Sequence, residues 1–82
     1  MTRAEITEKL TAVFRDVFED PGLVVTDGMT ASDVMKWDSI SHIDMIYSVE
    51  KVFKIRMTTR QVAGLKTVGD LISLVEEKTA AP

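Results

Sequence analysis

The chain has 82 residues, 45% of them hydrophobic and 28% charged, which is the composition of one small folded domain with no room for a large catalytic cleft and its supporting layers. It has no cysteine, so disulfides, thiolate metal sites and cysteine nucleophiles are excluded, and the core must hold by packing alone. The net charge of −3 divides into −2 over residues 1–20, −3 over 21–53 and +2 over 54–82. No basic block exists that could release counterions from a duplex, so no nucleic-acid partner is expected. No apolar run approaches the roughly 18 residues of a membrane span. The charged start (Arg3, Glu5, Glu8, Lys9) is unlike a signal peptide, so a cytoplasmic monomer is expected.

Thr2 followed by Glu5 has the spacing of a capping box, and Ile6, Leu10, Val13, Phe14, Val17 and Phe18 recur on one face of the helix that follows. Asp20-Pro21-Gly22 is expected to stop it. Residues 19–38 then form a long connection that Leu23, Val25, Met29 and Val34 can pin to a core, with a short helical turn at Thr30-Ala31-Ser32-Asp33. Asp38 has the character of an N-cap for a second helix running to Phe53. Thr58 to Ala63 predicts a short helix ended by Gly64, and Thr67 with Asp70 starts a last helix whose inner face is Val68, Leu71, Ile72 and Val75. No strand pattern competes. The expected fold is all-α: a single domain over 1–82, a small four-helix bundle of three main helices and one short one, with a long loop between the first two and a frayed tail at 79–82.

The second helix carries more apolar surface than one core contact can use. On a helical wheel Met45, Ile46, Val49, Val52 and Phe53 fill a wide arc that serves as the core face. Ile40, Ile43 and Tyr47 form a separate stripe, with Asp44, Glu50, Lys51 and Lys54 in or beside it. Either the long loop covers this stripe or it docks partner proteins, since small apolar anchors ringed by charge are what transient interfaces use. Ser39, one residue past the cap, is expected to expose its hydroxyl at the positive end of the helix dipole, where a phosphate is favoured.

Trp37-Asp38-Ser39-Ile40, opening an amphipathic helix after a long loop, resembles the attachment motif of acyl carrier proteins, whose usual form is Asp-Ser-Leu. Val49-Glu50-Lys51-Val52-Phe53 with the following Lys54-Ile55-Arg56-Met57, and Thr67-Val68-Gly69-Asp70-Leu71 further on, resemble the flanking pattern of that family, so the likeness covers nearly the whole chain. The resemblance implies that a phosphopantetheinyl transferase attaches 4′-phosphopantetheine to Ser39, with Asp38 helping to position the transferase's Mg²⁺. The chain is then a carrier of acyl thioesters, itself a substrate and not an enzyme. Its partners would be acyl-transfer, ketosynthase or acyl-activating enzymes of fatty-acid, polyketide or modified-lipid synthesis. Ile40, Ile43, Asp44, Tyr47 and Glu50 fall where such carriers dock their enzymes. Met45, Val49, Met57, Val62, Leu65 and Leu71 fall where they can shelter an acyl chain, the competing reading being plain core packing. Carriers of general fatty-acid synthesis have a strongly acidic second helix. Here Lys51, Lys54 and Arg56 offset Asp44 and Glu50, which suggests altered steering and a specialised pathway.

No catalytic or metal site is expected. Asp38, Ser39 and His42 imitate a hydrolytic triad only superficially, because Ser39 and His42 lie three apart on one helix, and His42 is expected to be a solvated surface residue. Thr26-Asp27-Gly28-Met29 lacks the alternating ligands of a calcium loop. The alternatives are a peptidyl carrier, whose more common Gly-Gly-x-Ser approach is absent, and a protein-interaction module of the same fold that is never modified.

Overall fold

The computed structural model describes residues 2–34 and 37–79, the side chain of Ser39 excepted. The elements are α1 (Arg3–Val17), a single 3-10 turn (Ala31–Asp33), α2 (Ser39–Phe53), α3 (Thr59–Ala63) and α4 (Val68–Thr79), and no strand occurs among the described residues. Each helix starts on a side chain that satisfies backbone N–H groups left over by the first turn. Thr2 and Glu5 form the expected capping box. Thr58 and Gln61 form a second, which the spacing also allows. At α4 the Asp70 N–H donates to Thr67 Oγ1 and the Thr67 N–H donates to Asp70 Oδ2, both at 3.1 Å. Of the tail expected to fray, Thr79 is instead the last residue of α4, its hydroxyl donating to the Val75 carbonyl at 2.8 Å, and 80–82 lie outside the described residues.

The first stop signal acts earlier than expected. α1 ends at Val17, and the chain reverses at Glu19 in the left-handed region (φ 51°), with the Asp20 N–H donating to the Arg15 carbonyl. Pro21 is consistent with this stop, because a helix running on to it would set its ring against the Val17 carbonyl and offer that carbonyl no N–H. Lys54 ends α2 in the same left-handed way (φ 56°), and the Ile55 N–H donates back to the Glu50 carbonyl. Neither reversal uses a glycine.

α1 packs on both α2 and α4. Ile6, Leu10, Val13, Phe14 and Phe18 meet Met45, Ile46, Val49 and Phe53 of α2 and Val68, Leu71, Ile72 and Val75 of α4 in one buried cluster. Val25 and Val34 join it from the loop; Leu23 and Met29 pack against its edge. Val52, expected in the core, is 44% exposed. It lies at the limit of the inward arc and borders an open groove between α1 and α2 lined by Lys9, Ala12, Val13, Asp16, Ser48 and Lys51, which α1 does not close.

The long loop is held by backbone as well as by apolar side chains. The Arg15 Nε–H donates to the Leu23 carbonyl at 2.7 Å, and Arg3 reaches Asp27 of the loop together with Ser73 and Glu76 of α4. Where the loop crosses the start of α4, the N–H groups of Val68 and Gly69 donate to the carbonyls of Met29 and Asp27, each at 2.8 Å. Two donors that the helix cannot satisfy itself are thereby paired. The crossing is so close that a Cβ on Gly69 would stand 2.8 Å from the Asp27 carbonyl oxygen.

In an ordinary helix Gly→Ala is worth about 0.5–1 kcal/mol of added stability. Gly69→Ala is expected to do the opposite and cost about 1–3 kcal/mol, because the opposing atom is backbone and the loop must lift. Thermal melts of the variant and the parent test this, and a variant melting at or above the parent would show that the loop yields freely.

Candidate functional site

The junction between the loop and α2 carries the residues singled out in the sequence. Asp38 is extended (φ −118°, ψ −171°), its Oδ1 accepts from the Ser41 N–H at 2.9 Å, and its carbonyl accepts the first helical bond from the His42 N–H. Asp38 is therefore the N-cap, and Ser39 is the first residue of the helix. The neighbours Asp38 and Ile40 are both exposed; the expected exposure of the Ser39 hydroxyl lies outside the described atoms. The N–H groups of Ser41 and Ile40 hold the Asp38 carboxyl below the usual carboxylate range, the Ser41 bond being the larger cause.

His42 is not the solvated residue expected. It is half-buried, its Nδ1 accepts from the Trp37 Nε1–H at 3.0 Å, and its ring stacks on the indole with centroids 5.9 Å apart and planes 16° apart. Trp37 in turn meets Phe14 edge-on at 5.3 Å and lies 5.6 Å from Phe18. The residues on either side of Asp38 and Ser39 are thus tied to each other and to α1. This pairing was missed from sequence; the available signal was an aromatic and a histidine straddling the cap, with Phe14 and Phe18 one turn apart on the first apolar stripe.

Ile40, Ile43 and Tyr47 are 74%, 68% and 68% exposed, so the long loop does not cover the second stripe of α2. Asp44 is exposed beside them. Glu50 is different: it is half-buried, and its Oε2 accepts from the Met57 N–H at 2.8 Å, tying the end of α2 to the segment before α3. Of the six residues expected beside an acyl chain, Met45, Val49 and Leu71 are buried, while Met57, Val62 and Leu65 pack against the core from its edge. Met45, Leu65 and Leu71 meet at a partly open cavity of about 80 Å³ also lined by Ala31, Trp37, His42, Lys66 and Thr67. Val49, Met57 and Val62 do not line it; Val62 instead borders a shallow groove with Ile43, Ile46 and Tyr47. Among the described residues no cluster of three His, Asp or Glu side chains could hold a metal ion, and no helix is long and apolar enough to cross a membrane.

Glu5 and Asp70 are held low for the same reason as Asp38, by the N–H groups they cap. A carboxyl whose native value is depressed stabilises the fold above its unfolded value and loses that contribution as the pH falls through the native one. Stability is therefore expected to fall below about pH 4. Asp38→Asn keeps a capping oxygen without a titrating group, so it is expected to match the parent near neutrality and to lose less on acidification. Chemical denaturation at a series of pH values measures this, and identical acid profiles for the two proteins would contradict it.

No profile of a known protein family matches the chain. It is 32% identical over 82 residues to an acyl carrier protein of Thermosynechococcus vestitus, an alignment that covers 99% of this chain and 100% of that one. The fold superposes on the solution structure of holo acyl carrier protein from Geobacter metallireducens with a TM-score of 0.86 and 42% identity, covering 90% of this chain and 85% of that one. A structure from Mycobacterium tuberculosis shows the same fold at 24% identity and a TM-score of 0.79, covering 88% of this chain and 96% of that one. With relatives matched end to end, the helical bundle and an Asp-Ser pair opening its second helix in place, the chain belongs to the acyl carrier protein family.

Proposed function

We propose that this carrier is a single-domain cytoplasmic monomer that holds acyl groups on a 4′-phosphopantetheine arm attached to Ser39 and presents them to the enzymes of a specialised fatty-acid, polyketide or modified-lipid pathway. The observation that supports it most is the position of Ser39: first residue of α2, directly after an extended, capping Asp38 and at the head of an uncovered apolar stripe. The residues present suit the group. A phosphate attached there meets the positive end of a 15-residue helix, and exposed neighbours leave the approach open. The arm, when attached, supplies the thiol that this cysteine-free chain lacks.

The chain's own part is positional. Asp38 is fixed by its bond to the Ser41 N–H and stays ionised, so its outer oxygen can help hold the Mg²⁺ of a docked phosphopantetheinyl transferase while the inner one keeps capping. Trp37 and His42 clamp the chain on both sides of the serine and limit how far the attachment point can wander. Ile40, Ile43 and Tyr47, with Asp44 at their edge, are the surface against which a partner enzyme excludes water. Glu50, expected in that set, is assigned instead to holding Met57. Met45, Leu65 and Leu71 are the part of the lining set that could give way to an acyl chain; the cavity they border holds only a few carbons as it stands, and the flexible thioether of Met45 is the side chain best able to enlarge it.

Incubation with coenzyme A, Mg²⁺ and a broad-specificity phosphopantetheinyl transferase, followed by mass spectrometry, tests the assignment. One phosphopantetheine is expected on the tryptic peptide spanning Trp37 to Lys51, and none on Ser39→Ala, which should fold like the parent because the cap is Asp38. No modification of the parent would leave a helical interaction module of the same fold, and modification of the variant would move the site elsewhere. Tyr47→Ala is expected to change stability by no more than about 0.5 kcal/mol. It should still slow acyl transfer by a cognate enzyme, whereas Phe53→Ala should cost about 3–5 kcal/mol through the cavity it leaves. Equal destabilisation of the two variants would place Tyr47 in the core and the docking face elsewhere.

A further inference from the structure

The uncovered face of α2 does not carry one sign of charge. Near Ser39 its exposed ionisable groups, among the described residues, are Asp38 and Asp44. At the far end Tyr47, Glu50, Lys51, Lys54, Ile55 and Arg56 line an open groove of about 500 Å³. Three cations there face a single carboxylate, and that carboxylate is half-buried with one oxygen engaged by the Met57 N–H. Lys51, Lys54 and Arg56 are exposed, and among the described residues the ion pairs are both made by Arg3, with Asp27 and Glu76. The groove is continuous with the apolar stripe through Tyr47 and offers Ile55, half-buried, on its floor. Among the described residues no ion pair neutralises this end, although the chain as a whole has a net charge of −3.

We infer that the groove at the end of α2 docks an acidic surface of a partner protein, with carboxylates facing Lys51, Lys54 and Arg56 and an apolar side chain meeting Tyr47 and Ile55. The inference rests on the carrier reading above and deepens it by stating the charge of the partner. Charge complementarity is the argument: an unpaired cluster of cations on an acidic protein repels a basic surface and steers an acidic one, while the apolar floor supplies contact once water is excluded. A partner spanning the whole face would be basic opposite Asp44 and acidic opposite the groove. This arrangement also fixes its orientation along α2, because a reversed approach sets like charges against each other at both ends.

Two synthetic amphipathic helices with the same leucine stripe, one rimmed with glutamates and the other with lysines, serve as probes in NMR titrations of the ¹⁵N-labelled chain. The glutamate-rimmed helix is expected to bind about tenfold more tightly, with shifts concentrated at Tyr47, Lys51, Lys54, Ile55 and Arg56. The preference should fade as salt is raised to about 0.5 M. Lys51→Glu with Arg56→Glu should invert the preference, and the milder Lys51→Gln with Arg56→Gln should abolish it. Lys54 is left unchanged in both because it holds the left-handed end of α2. Equal or tighter binding of the lysine-rimmed helix, shifts elsewhere on the surface, or concentration-dependent broadening of the chain alone, which would mean a second copy in the groove, would overturn the inference. Modification of Ser39 is scored in a separate sample. A chain that gains the arm but ignores the rim of the probe sinks the charge assignment alone, and a chain that never gains it sinks the carrier reading.

Discussion

The aromatic contact of Phe14 and Phe18 with Trp37 is the interaction on which the placement of the start of α2 depends. The two phenylalanines stand one turn apart on α1, fully buried, with rings 5.4 Å apart and inclined at 64°. Trp37 packs on both and passes the constraint to His42 through a stack and a hydrogen bond. Aromatic pairs of this kind add roughly 0.5–1.5 kcal/mol beyond their buried area. Their more important effect here is positional. The residue before the cap and a residue in the first turn of α2 are joined to the same cluster, so the start of α2 is tied to α1 through Trp37.

That loop could otherwise be a liability, since some twenty residues without regular structure are uncommon in a small domain. It is restrained at several separated points: Arg15 and Arg3 hold its carbonyl and carboxylate groups, Val25 and Val34 enter the core, and the first N–H groups of α4 close on its backbone. The ion pairs of Arg3 are exposed and contribute little by themselves. The backbone bonds to Met29 and Asp27 are the more consequential, because they satisfy donors that every helix leaves open. Gly69 is the residue that lets the two backbones meet.

α2 therefore has two jobs on opposite sides. Its inner face supplies Met45, Ile46, Val49 and Phe53 to the core, and its outer face leaves Ile40, Ile43 and Tyr47 in water. Large apolar side chains are thereby left uncovered on a helix whose start is tied to Trp37. Among the described residues the charges around them grade from acidic near Ser39 to basic near Arg56.

The number and order of the helices, the caps at Thr2 and Asp38, the inner faces of α1 and α4 and the outer stripe of α2 were all legible in the sequence, because each rests on short-range chemistry: a side-chain oxygen one turn ahead of an orphan N–H, or apolar residues recurring with the helical period. The family likeness rested on the same local pattern around Ser39. What the tertiary structure decided is what depends on a neighbour from elsewhere in the chain. Val52 is on the inward arc yet exposed, because the groove between α1 and α2 stays open beside it. His42 is polar yet half-buried, because Trp37 offers it a donor and a ring. Glu50 is charged yet engaged, because the turn after α2 brings the Met57 N–H to it. Helical periodicity reports which way a side chain points; whether another part of the chain arrives there to cover, pair or leave it is settled only when the helices pack.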